Sequence, residues 1–399
     1  MCSHIDQNSA LKERLGNIYK IEELRFSLLQ WFDLNGRHWI PWKLNADGLL
    51  PKEQEILPVY PIFVAEVMLQ QTQLKVVLPF WEKWIEAFPT LLDLALASEE
   101  DILLHWQGLG YYSRVHRMHS ASKQLIQILG NHYSIEKDLW PTDIDSWITL
   151  PGIGRTTAAS IISSAFNVPQ AILDGNVIRI LARLFGMKEV IPNHIESFWE
   201  LSMLLLDHQS PRNFNQALMD LGATICTRNK PKCSDCPLQN YCFAYDEGDP
   251  LKFPLRKPRK VMQSLVIGIG IVINNSGQVL IDQRQSNQSM AGLWEFPGGK
   301  NELDELIEDT IERELYEELG IKVKVKEKII EFDHLYTNKK LHFVVYICKI
   351  ISGNPKPLAS VQIKWVLPSE LSNYPFPAAN QKMISALKSY LMIGKDKNL

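Results

Sequence analysis

The hydrophobic pattern changes once along the chain, and this change constrains the fold more than any other feature. From about residue 20 to 242, apolar side chains recur every three or four residues, as in IEELRFSLLQWF and VIRILARLFG, which predicts amphipathic helices. After residue 262, LVIGIGIVI and QVLIDQR predict β-strands, and a helix is expected over about 304–319. The chain has 399 residues, enough for two or three domains. We therefore expect a multidomain protein whose first part is all-α and whose second part is α+β.

A basic, proline-containing segment separates the two patterns. Residues 246–261 contain three prolines and show no apolar period, which predicts a linker. Its basic side chains either follow a phosphate backbone or are simply solvated. The net charge of -3 excludes a protein that is basic all over, as histones are. The N-terminus lacks the pattern of a signal peptide, and no apolar run approaches the ~18 residues of a membrane span, so we expect a cytoplasmic protein.

Four of the six cysteines fall in one short window. Cys226, Cys233, Cys236 and Cys242 have the spacing C-x6-C-x2-C-x5-C. In a reducing compartment, such a cluster binds metal more often than it forms disulfides. The spacing therefore predicts a metal centre in the loop over residues 226–242.

Glycines separate two helical patterns in the segment LPGIGR. Gly152 and Gly154 allow the backbone to approach a ligand closely, and the N–H groups that open the next helix favour an anion such as phosphate. This arrangement suits a helix-hairpin-helix that grips one DNA strand without reading its sequence. An ordinary turn is the alternative interpretation.

Two carboxylates have positions that suit catalysis. On a helix, Glu66 has Ile62, Phe63 and Leu69 as neighbours, so it belongs to an apolar face. Burial raises the pKa of a carboxyl, which is the condition for a general acid near neutral pH. Asp174 precedes the helix VIRILARLF, where it would be an N-cap and, compatibly, a carboxylate that the helix dipole holds ionised. For Glu66, the alternative is a buried side chain satisfied by its neighbours.

Taken together, five ordered segments resemble a known family. VAEVMLQQTQ, GLGYYSR, LPGIGRTTA, ILDGNV and FNQALMDLGATICTRNKPKCSDCPLQNYC are similar to helix-hairpin-helix DNA glycosylases with an iron–sulfur cluster, and most closely to MutY-type adenine DNA glycosylases. The resemblance covers about residues 20–245. It implies a [4Fe–4S] cluster, rather than zinc, on the four cysteines. It also implies a monomeric base excision repair enzyme that acts on duplex DNA containing A:8-oxoguanine or A:G and is associated with the nucleoid.

The resemblance implies roles for single residues. Glu66 would protonate the flipped adenine, Asp174 would stabilise the oxocarbenium-like sugar, and Asn176 would orient both groups. Family relatives that also cut the strand carry a lysine where this chain has Thr156, so a monofunctional enzyme is expected. The residues expected to contact DNA or the extruded base are Gln70, Gln71, Thr72, Tyr112, Gly152, Gly154, Thr156 and Gln216.

Within this set, the resemblance gives Tyr112 a particular role. Its ring would wedge into the base stack while the glutamines line the gap left by the extruded base. Tyr111 stands beside it in GLGYYSR, and either tyrosine is alternatively an ordinary core or surface aromatic.

The second part of the chain contains a complete Nudix pattern. Starting at Gly299, GKNELDELIEDTIERELYEELGI fits G-x5-E-x7-R-E-U-x-E-E-x-G-U. Glu314, Glu317 and Glu318 stand at i, i+3 and i+4, which predicts three carboxylates on one helical face. Mg²⁺ would relieve their repulsion and bridge them to substrate phosphates. A solvated acidic helix with Arg313 as partner is the alternative.

Other segments of this part resemble MutT-type hydrolases of oxidised guanine nucleotides. Arg284 and Asn380 match positions that recognise the base. Phe332-Asp333-His334 only partly matches the element with which MutY tails sense 8-oxoguanine, and no acidic residue lies between Lys349 and Trp365, where MutT has a further carboxylate. The resemblance implies a Nudix domain over residues 262–399 that recognises 8-oxoguanine, and it leaves hydrolysis of free 8-oxo-dGTP open.

Overall fold

The computed structural model describes residues 18–130, 140–188, 195–255, 262–336 and 339–396. The described residues form two compact units. The first lies within Met1–Leu74, Thr90–Leu92 and Ser120–Pro258, and the second within Lys75–Pro89, Asp93–His119 and Arg259–Leu399.

The first pattern of the sequence folds into helices, as predicted. In chain order they are α1 (Ile18–Asn35), α2 (Val59–Leu69), α3 (Leu74–Ala87), α4 (Leu91–Leu96), α5 (Glu99–Trp106), α6 (Ser113–Leu129), α7 (Ile144–Ile148), α8 (Arg155–Phe166), α9 (Gly175–Phe185), α10 (Ile195–Leu205), α11 (Pro211–Thr224) and α12 (Phe243–Asp246). Polar caps set several of these boundaries. The Ser98 hydroxyl accepts a hydrogen bond from Asp101 N to begin α5, and α8 ends at Asn167 in the left-handed region with φ of 55°.

Helices α1, α9, α10 and α11 enclose the core of the first unit. Leu28, Leu181, Phe198 and Phe214 are fully buried there. Burying each such side chain contributes roughly 1.5–3 kcal/mol. The packing of α8 against both α2 and α11 continues this unit, and it brings the helix that carries Glu66 next to the helix that follows the glycine turn.

The second pattern folds into two sheets and two long helices, which confirms the α+β prediction and the helix expected near 304–319. One sheet has the order β4-β1-β6-β5, in which β1 and β6 are parallel and the other pairs are antiparallel, and the other has the order β3-β2-β7. The elements are β1 (Gln263–Val272), β2 (Val279–Gln283), β3 (Trp294–Glu295), β4 (Gly298–Lys300), α13 (Ile307–Leu319), β5 (Lys322–Tyr336), β6 (Lys339–Ser352), β7 (Ile363–Val366) and α14 (Ala378–Asp396).

Helix α13 packs closely on β1 because β1 carries glycine at the contact. A Cβ atom at Gly270 would lie 2.8 Å from Ile311 Cγ2. Ile311 and Leu315 of α13 are fully buried, together with Leu280 of β2. This close contact fixes the helix that bears the Nudix carboxylates against the sheet.

The two compact units do not follow the two sequence patterns. Helices α3 and α5 and the first turns of α6 cluster with the C-terminal sheets rather than with the other helices. Trp294 Nε1 donates to Glu100 Oε1 at 3.1 Å, and Phe376 N donates to Gln107 Oε1 at 3.2 Å. His116 Nε2 lies 3.1 Å from Ala291 O. Contacts between residues far apart in sequence produce this grouping, so local patterns could not predict it. The boundaries predicted for the two domains stay a prediction.

The first part of the predicted linker, residues 246–255, packs against the first unit. Phe253 is buried and makes an edge-to-face contact with Phe243, with ring centroids 5.7 Å apart. Arg183 Nε donates to Pro250 O at 3.0 Å and to Phe253 O at 3.3 Å. These contacts hold residues 246–255 against the first unit, and the rest of the predicted linker, 256–261, lies outside the described residues.

Among the described helices, none has both the length and the apolar character needed to cross a bilayer.

Candidate functional site

A cleft of about 800 Å³ in the first unit contains both predicted catalytic carboxylates. Its walls come from the end of α2, the first half of α8, the start of α9 and the segment that ends at Leu255. The side chains that line it include Glu66, Gln70, Gln71, Thr72, Thr156, Thr157, Ser160, Asp174, Asn176, Arg179, Arg183 and Arg228. The sequence predicted seven of these twelve residues, and the fold brings the seven together.

Glu66 is buried on α2, and burial raises the pKa of its carboxyl to about 7. The negative charge of Asp174 raises this pKa further, whereas Ser160 and the positive charge of Lys43 lower it. Lys43 is itself buried, and its Nζ donates to Asp220 Oδ2 at 3.0 Å. A carboxyl with a pKa near 7 is protonated often enough at neutral pH to donate a proton. The sequence indicated burial of Glu66 but gave no sign of Lys43.

Asp174 is both the N-cap of α9 and a wall of the cleft, so the two interpretations made from the sequence are compatible. One carboxylate oxygen accepts hydrogen bonds from Asn176 N at 2.9 Å and Val177 N at 2.8 Å, and the other accepts one from Asn176 Nδ2 at 3.0 Å. Burial nevertheless raises the pKa of Asp174, because desolvation outweighs these hydrogen bonds and the charge of Arg179. This direction is opposite to the effect of the helix dipole, which favours the ionised carboxylate.

Arg179 connects Asn176 to the cysteine loop, and sequence reasoning missed it. Its Nη2 donates to Asn176 Oδ1 and to Gly222 O, both at 2.8 Å, and its Nε donates to Cys226 O at 2.7 Å. A Cβ atom at Gly222 would lie 2.6 Å from Asn176 Cβ, so α11 also limits where Asn176 can move. Asn176 and Arg179 are three residues apart on one helix, and side chains at this spacing are neighbours on the helix surface. The sequence could therefore have indicated that Arg179 binds Asn176.

The remaining DNA-contact candidates on the cleft lie around the glycine turn. Gln70 Nε2 donates to Gly152 O and to Thr157 Oγ1, both at 3.2 Å, which joins the end of α2 to the start of α8. Gln71 has a φ of 60°, a left-handed conformation that is uncommon outside glycine and that marks candidate functional positions. Gln216 is different, because it is buried within α11 and lies outside the residues that line this cleft.

The two tyrosines of the GLGYYSR segment differ in exposure. Its ring is buried, and its hydroxyl accepts a hydrogen bond from Gly108 N at 3.4 Å. Tyr111 is 41% exposed and has a φ of 50°, which is strained for a bulky side chain. The wedge role of Tyr112 stays a prediction, and Tyr111 is its exposed neighbour.

The four cysteines of the 226–242 loop line one small pocket of about 30 Å³. Burial raises the pKa of the Cys236 thiol to about 12, and the charges of the other three cysteines raise it further. Arg183 Nη1 lies 3.3 Å from Cys226 Sγ. Within the described ranges, no three His, Cys, Asp or Glu side chains are spaced to hold a single metal ion. The loop thus gathers four sulfur donors whose thiolate forms would repel one another.

The Nudix carboxylates of α13 are divided between two environments. Arg313 donates to Glu314 Oε1 at 3.0 Å and to Glu317 Oε2 at 3.3 Å, and it also binds Glu305. Glu318 accepts a hydrogen bond from Gly298 N at 3.2 Å, and burial raises the pKa of its carboxyl to about 7, with further contributions from Glu295 and Glu314. Arg313 is thus a partner of two of the three carboxylates. The interpretation of this segment as an acidic helix without metal also has Arg313 in that place.

Arg284 and Asn380, the predicted base-recognition residues, are both largely enclosed. Arg284 Nη1 donates to both carboxylate oxygens of Glu295, each at 2.6 Å. Asn380 is buried in the first turn of α14. Trp294, next to Glu295, contacts α5 through Glu100. Phe376, which lies shortly before Asn380, contacts Gln107 in the loop after α5.

Comparison with known proteins agrees with this architecture. Residues 64–201 match the HhH-GPD superfamily of base excision DNA repair proteins, and residues 268–386 match the NUDIX domain. A structure of a thermostable thymine-DNA glycosylase is similar at a TM-score of 0.49 and 24% identity, over 57% of this chain and 98% of that one. The two family matches define the class of the protein, a base excision DNA repair protein that carries a NUDIX domain.

Within that class, the chain belongs to the adenine DNA glycosylases. The adenine DNA glycosylase of Buchnera aphidicola subsp. Acyrthosiphon pisum (strain APS) is 32% identical over 330 residues, which cover 82% of this chain and 86% of that protein. The adenine DNA glycosylase of Homo sapiens is 29% identical over 415 residues, which cover 92% and 74% of the two chains. Membership in this family makes DNA the macromolecular partner.

Proposed function

We propose that the enzyme removes adenine paired with 8-oxoguanine or guanine from duplex DNA by hydrolysis of the N-glycosidic bond. The observation that supports this most directly is that Glu66 and Asp174, distant in sequence, line one cleft and differ in their surroundings. Glu66 lacks hydrogen bonds from backbone N–H groups and has a pKa of about 7, whereas Asp174 receives two such bonds. An acid beside a solvated or hydrogen-bonded carboxylate is the arrangement used in glycoside hydrolysis.

Each residue then has one task. Protonated Glu66 donates its proton to a ring nitrogen of the extruded adenine, so that the base leaves as a neutral molecule. The carboxylate of Asp174 stabilises the positive charge that develops on the sugar, and Asn176 holds that carboxylate through its side-chain amide. Water then attacks the sugar and gives its proton to the Glu66 carboxylate, which leaves an abasic site and restores the acid form of Glu66. We assign Gln70, Gln71 and Thr72 to the gap in the duplex, Gly152 and Gly154 to the phosphates, and Tyr112 or its exposed neighbour Tyr111 to the base stack.

The enzyme is expected to be monofunctional. Among the described side chains that line the cleft none is a lysine, and the Thr156 hydroxyl donates to Leu173 O at 3.0 Å. Without an amine there, no Schiff base with the sugar can form. Borohydride reduction during turnover should therefore trap no covalent complex with DNA, whereas Thr156→Lys, which adds the amine, should give one. Efficient trapping of the unmodified enzyme would contradict the assignment.

We propose that Cys226, Cys233, Cys236 and Cys242 hold a [4Fe–4S] cluster. The four cysteines line one pocket, but their side chains are not spaced to hold a single metal ion. A single zinc ion would need all four sulfur atoms at about 2.3 Å from it, which brings the sulfur atoms close together. A cluster separates its thiolate ligands more widely and removes their mutual repulsion. When bound, it would fix the loop that carries Cys226 O, the acceptor of Arg179.

Replacing Cys236 by serine tests the cluster. We expect the visible charge-transfer absorption and the iron content of the purified protein to fall, together with adenine release, because the loop that anchors Arg179 loosens. Cys348→Ala is the matched control, since Cys348 is a buried cysteine of β6 and not part of the loop. This variant should keep the absorption, the iron content and the adenine release of the wild type. Equal iron content in the two variants would remove the assignment.

For the C-terminal part, we propose that it recognises 8-oxoguanine in DNA. The match of Arg284 and Asn380 to base-recognition positions supports a reader, whereas the partial match of Phe332-Asp333-His334 to the sensing element weakens it. Arg284→Ala should lower the preference for A:8-oxoguanine over A:G about tenfold, since one lost base contact costs about 1–3 kcal/mol. Single-turnover rates on the two duplexes measure this ratio, and Lys322→Ala, at the exposed start of β5, should leave it unchanged.

A second activity, hydrolysis of free 8-oxo-dGTP, is favoured by one observation. The Nudix pattern is complete, and Glu318 lies against Gly298 as a ligand near the phosphates would. Release of pyrophosphate from 8-oxo-dGTP with Mg²⁺ by the full chain, lost in Glu318→Gln and kept in the exposed control Glu312→Gln, would establish it. No release by the unmodified chain would leave the reader function alone.

A further inference from the structure

One buried hydroxyl in the catalytic cleft lacks a well-formed hydrogen bond. Ser160 is 2% exposed, and within the described residues its hydroxyl oxygen has no partner at full hydrogen-bond geometry. It is near enough to the Glu66 carboxyl for a weak hydrogen bond that lowers the pKa of that carboxyl. Such a group costs about 1–3 kcal/mol of stability compared with an apolar side chain. Orphaned buried hydroxyls are rare in proteins, so this one requires an explanation.

The position of Ser160 provides one. It lies on α8 one turn after Thr156 and Thr157, and all three side chains line the same cleft as Glu66 and Asp174. The hydroxyl lies beside the Glu66 carboxyl, close enough to lower its pKa. The other serines of this helix are used differently. Ser163 Oγ accepts from Asn215 Nδ2 at 3.0 Å, and the Ser164 carbonyl accepts from Arg212 Nε at 2.7 Å.

Proton transfer creates a need for a donor at this place. When Glu66 gives its proton to the adenine, the electron pair of the O–H bond stays on the carboxylate, and a negative charge appears in a buried site. Asp174 faces it and repels it. Lys43 attracts it, but its ammonium group is bound to Asp220, which Arg37 also binds. An unpaired buried anion is costly unless a hydrogen bond meets it.

We propose that Ser160 is a positioning residue for the known reaction: its hydroxyl donates a hydrogen bond to the Glu66 carboxylate that remains after proton transfer. The hydroxyl keeps its own proton, and no bond other than the Glu66 O–H bond is broken in this step. Before the reaction the Ser160 hydroxyl lacks a well-formed hydrogen bond, which is unfavourable. As negative charge develops on Glu66, the hydroxyl gains a charged acceptor, so the hydrogen bond stabilises the transition state more than the ground state. The inference rests on the role proposed for Glu66.

Ser160→Ala tests the proposal by separating rate from stability. We expect the plateau rate of single-turnover adenine release at low pH to fall about tenfold, since a hydrogen bond to a charged group is lost. The descending limb of the pH–rate profile should move to higher pH, because the pKa of Glu66 rises without the donor. The melting temperature should stay the same or rise by about 2–4 °C, because an unsatisfied buried hydroxyl is removed.

Further variants make the test decisive. Ser160→Cys keeps the volume but is a weak donor, so it should lose rate as Ser160→Ala does. Ser164→Ala, on the same helix but outside the cleft, should keep the wild-type profile. A wild-type plateau and midpoint in Ser160→Ala would overturn the proposal, and so would a lower melting temperature or a failure to fold, since either would make the hydroxyl structural. An active wild type and an inactive Glu66→Gln establish the role of Glu66 independently.

Discussion

Glu66→Gln is expected to lower single-turnover adenine release by about 10²–10⁴-fold, because an amide cannot donate a proton to the leaving base. The wild-type rate should fall as the pH rises through about 7, since Glu66 acts in its protonated form and its pKa lies there. Rates on duplex DNA between pH 5 and 9 would measure both effects. Glu82→Gln, an exposed glutamate on α3, is the matched control and should leave the profile unchanged. A wild-type rate in Glu66→Gln would remove Glu66 as the acid.

The same carboxyl should impose a pH dependence on stability. Its pKa is about 4.5 in the unfolded chain and about 7 in the folded one, so the folded state binds more protons between these values. Stability therefore falls as the pH rises from 4.5 to 7, by about 3 kcal/mol at the conversion of 1.36 kcal/mol per pKa unit. Denaturant unfolding should show a fall that is about 3 kcal/mol smaller in Glu66→Gln than in the wild type, because Asp174 and Glu318, whose pKa values are also raised, contribute equally to both proteins. The enzyme thus gives up stability for an acid that works at neutral pH.

Asp174→Asn is expected to lower the rate by about 10²–10³-fold while changing stability little. Asparagine is as good an N-cap as aspartate, so α9 keeps its start, but the negative charge that stabilises the sugar cation is lost. Single-turnover rates and the melting temperature together separate the two roles that the sequence left open.

Asp143→Asn supplies the control for Asp174→Asn. Asp143 is the N-cap of α7 and accepts a hydrogen bond from Ser146 N at 2.7 Å, away from the cleft. Its substitution should alter neither the rate nor the melting temperature appreciably. If Asp174→Asn behaved in the same way, the cap would be the only role of Asp174.

Local features of the site were predictable because they depend on neighbours in sequence. The apolar face around Glu66, the cap at Asp174 and the glycine turn at Gly152 all arise from residues within one or two helical turns. Such relations follow from the helical period and from backbone geometry alone. The resemblance of five segments to one family then linked these local features to a single reaction.

Features that depend on exposure were not predictable in the same way. Tyr111 and Tyr112 are adjacent and chemically identical, yet one is 41% exposed and the other is buried with its hydroxyl at Gly108 N. Which of two neighbours faces solvent depends on the packing of the surrounding helices. Arg183 shows the same limit, because its bonds to Pro250 O and Phe253 O hold a segment that its composition alone predicts to be a linker.

By itself, the sequence determined the order of helices and strands, the two carboxylates, the spacing of the four cysteines and the Nudix pattern, since each is written in residues close together along the chain. The tertiary structure alone decided which groups surround Glu66, namely Lys43, Asp174 and the Ser160 hydroxyl. It also decided that α5 packs with the C-terminal sheets. The physical reason is that a pKa and an unsatisfied hydrogen bond depend on distances through space, which the packing of remote segments sets.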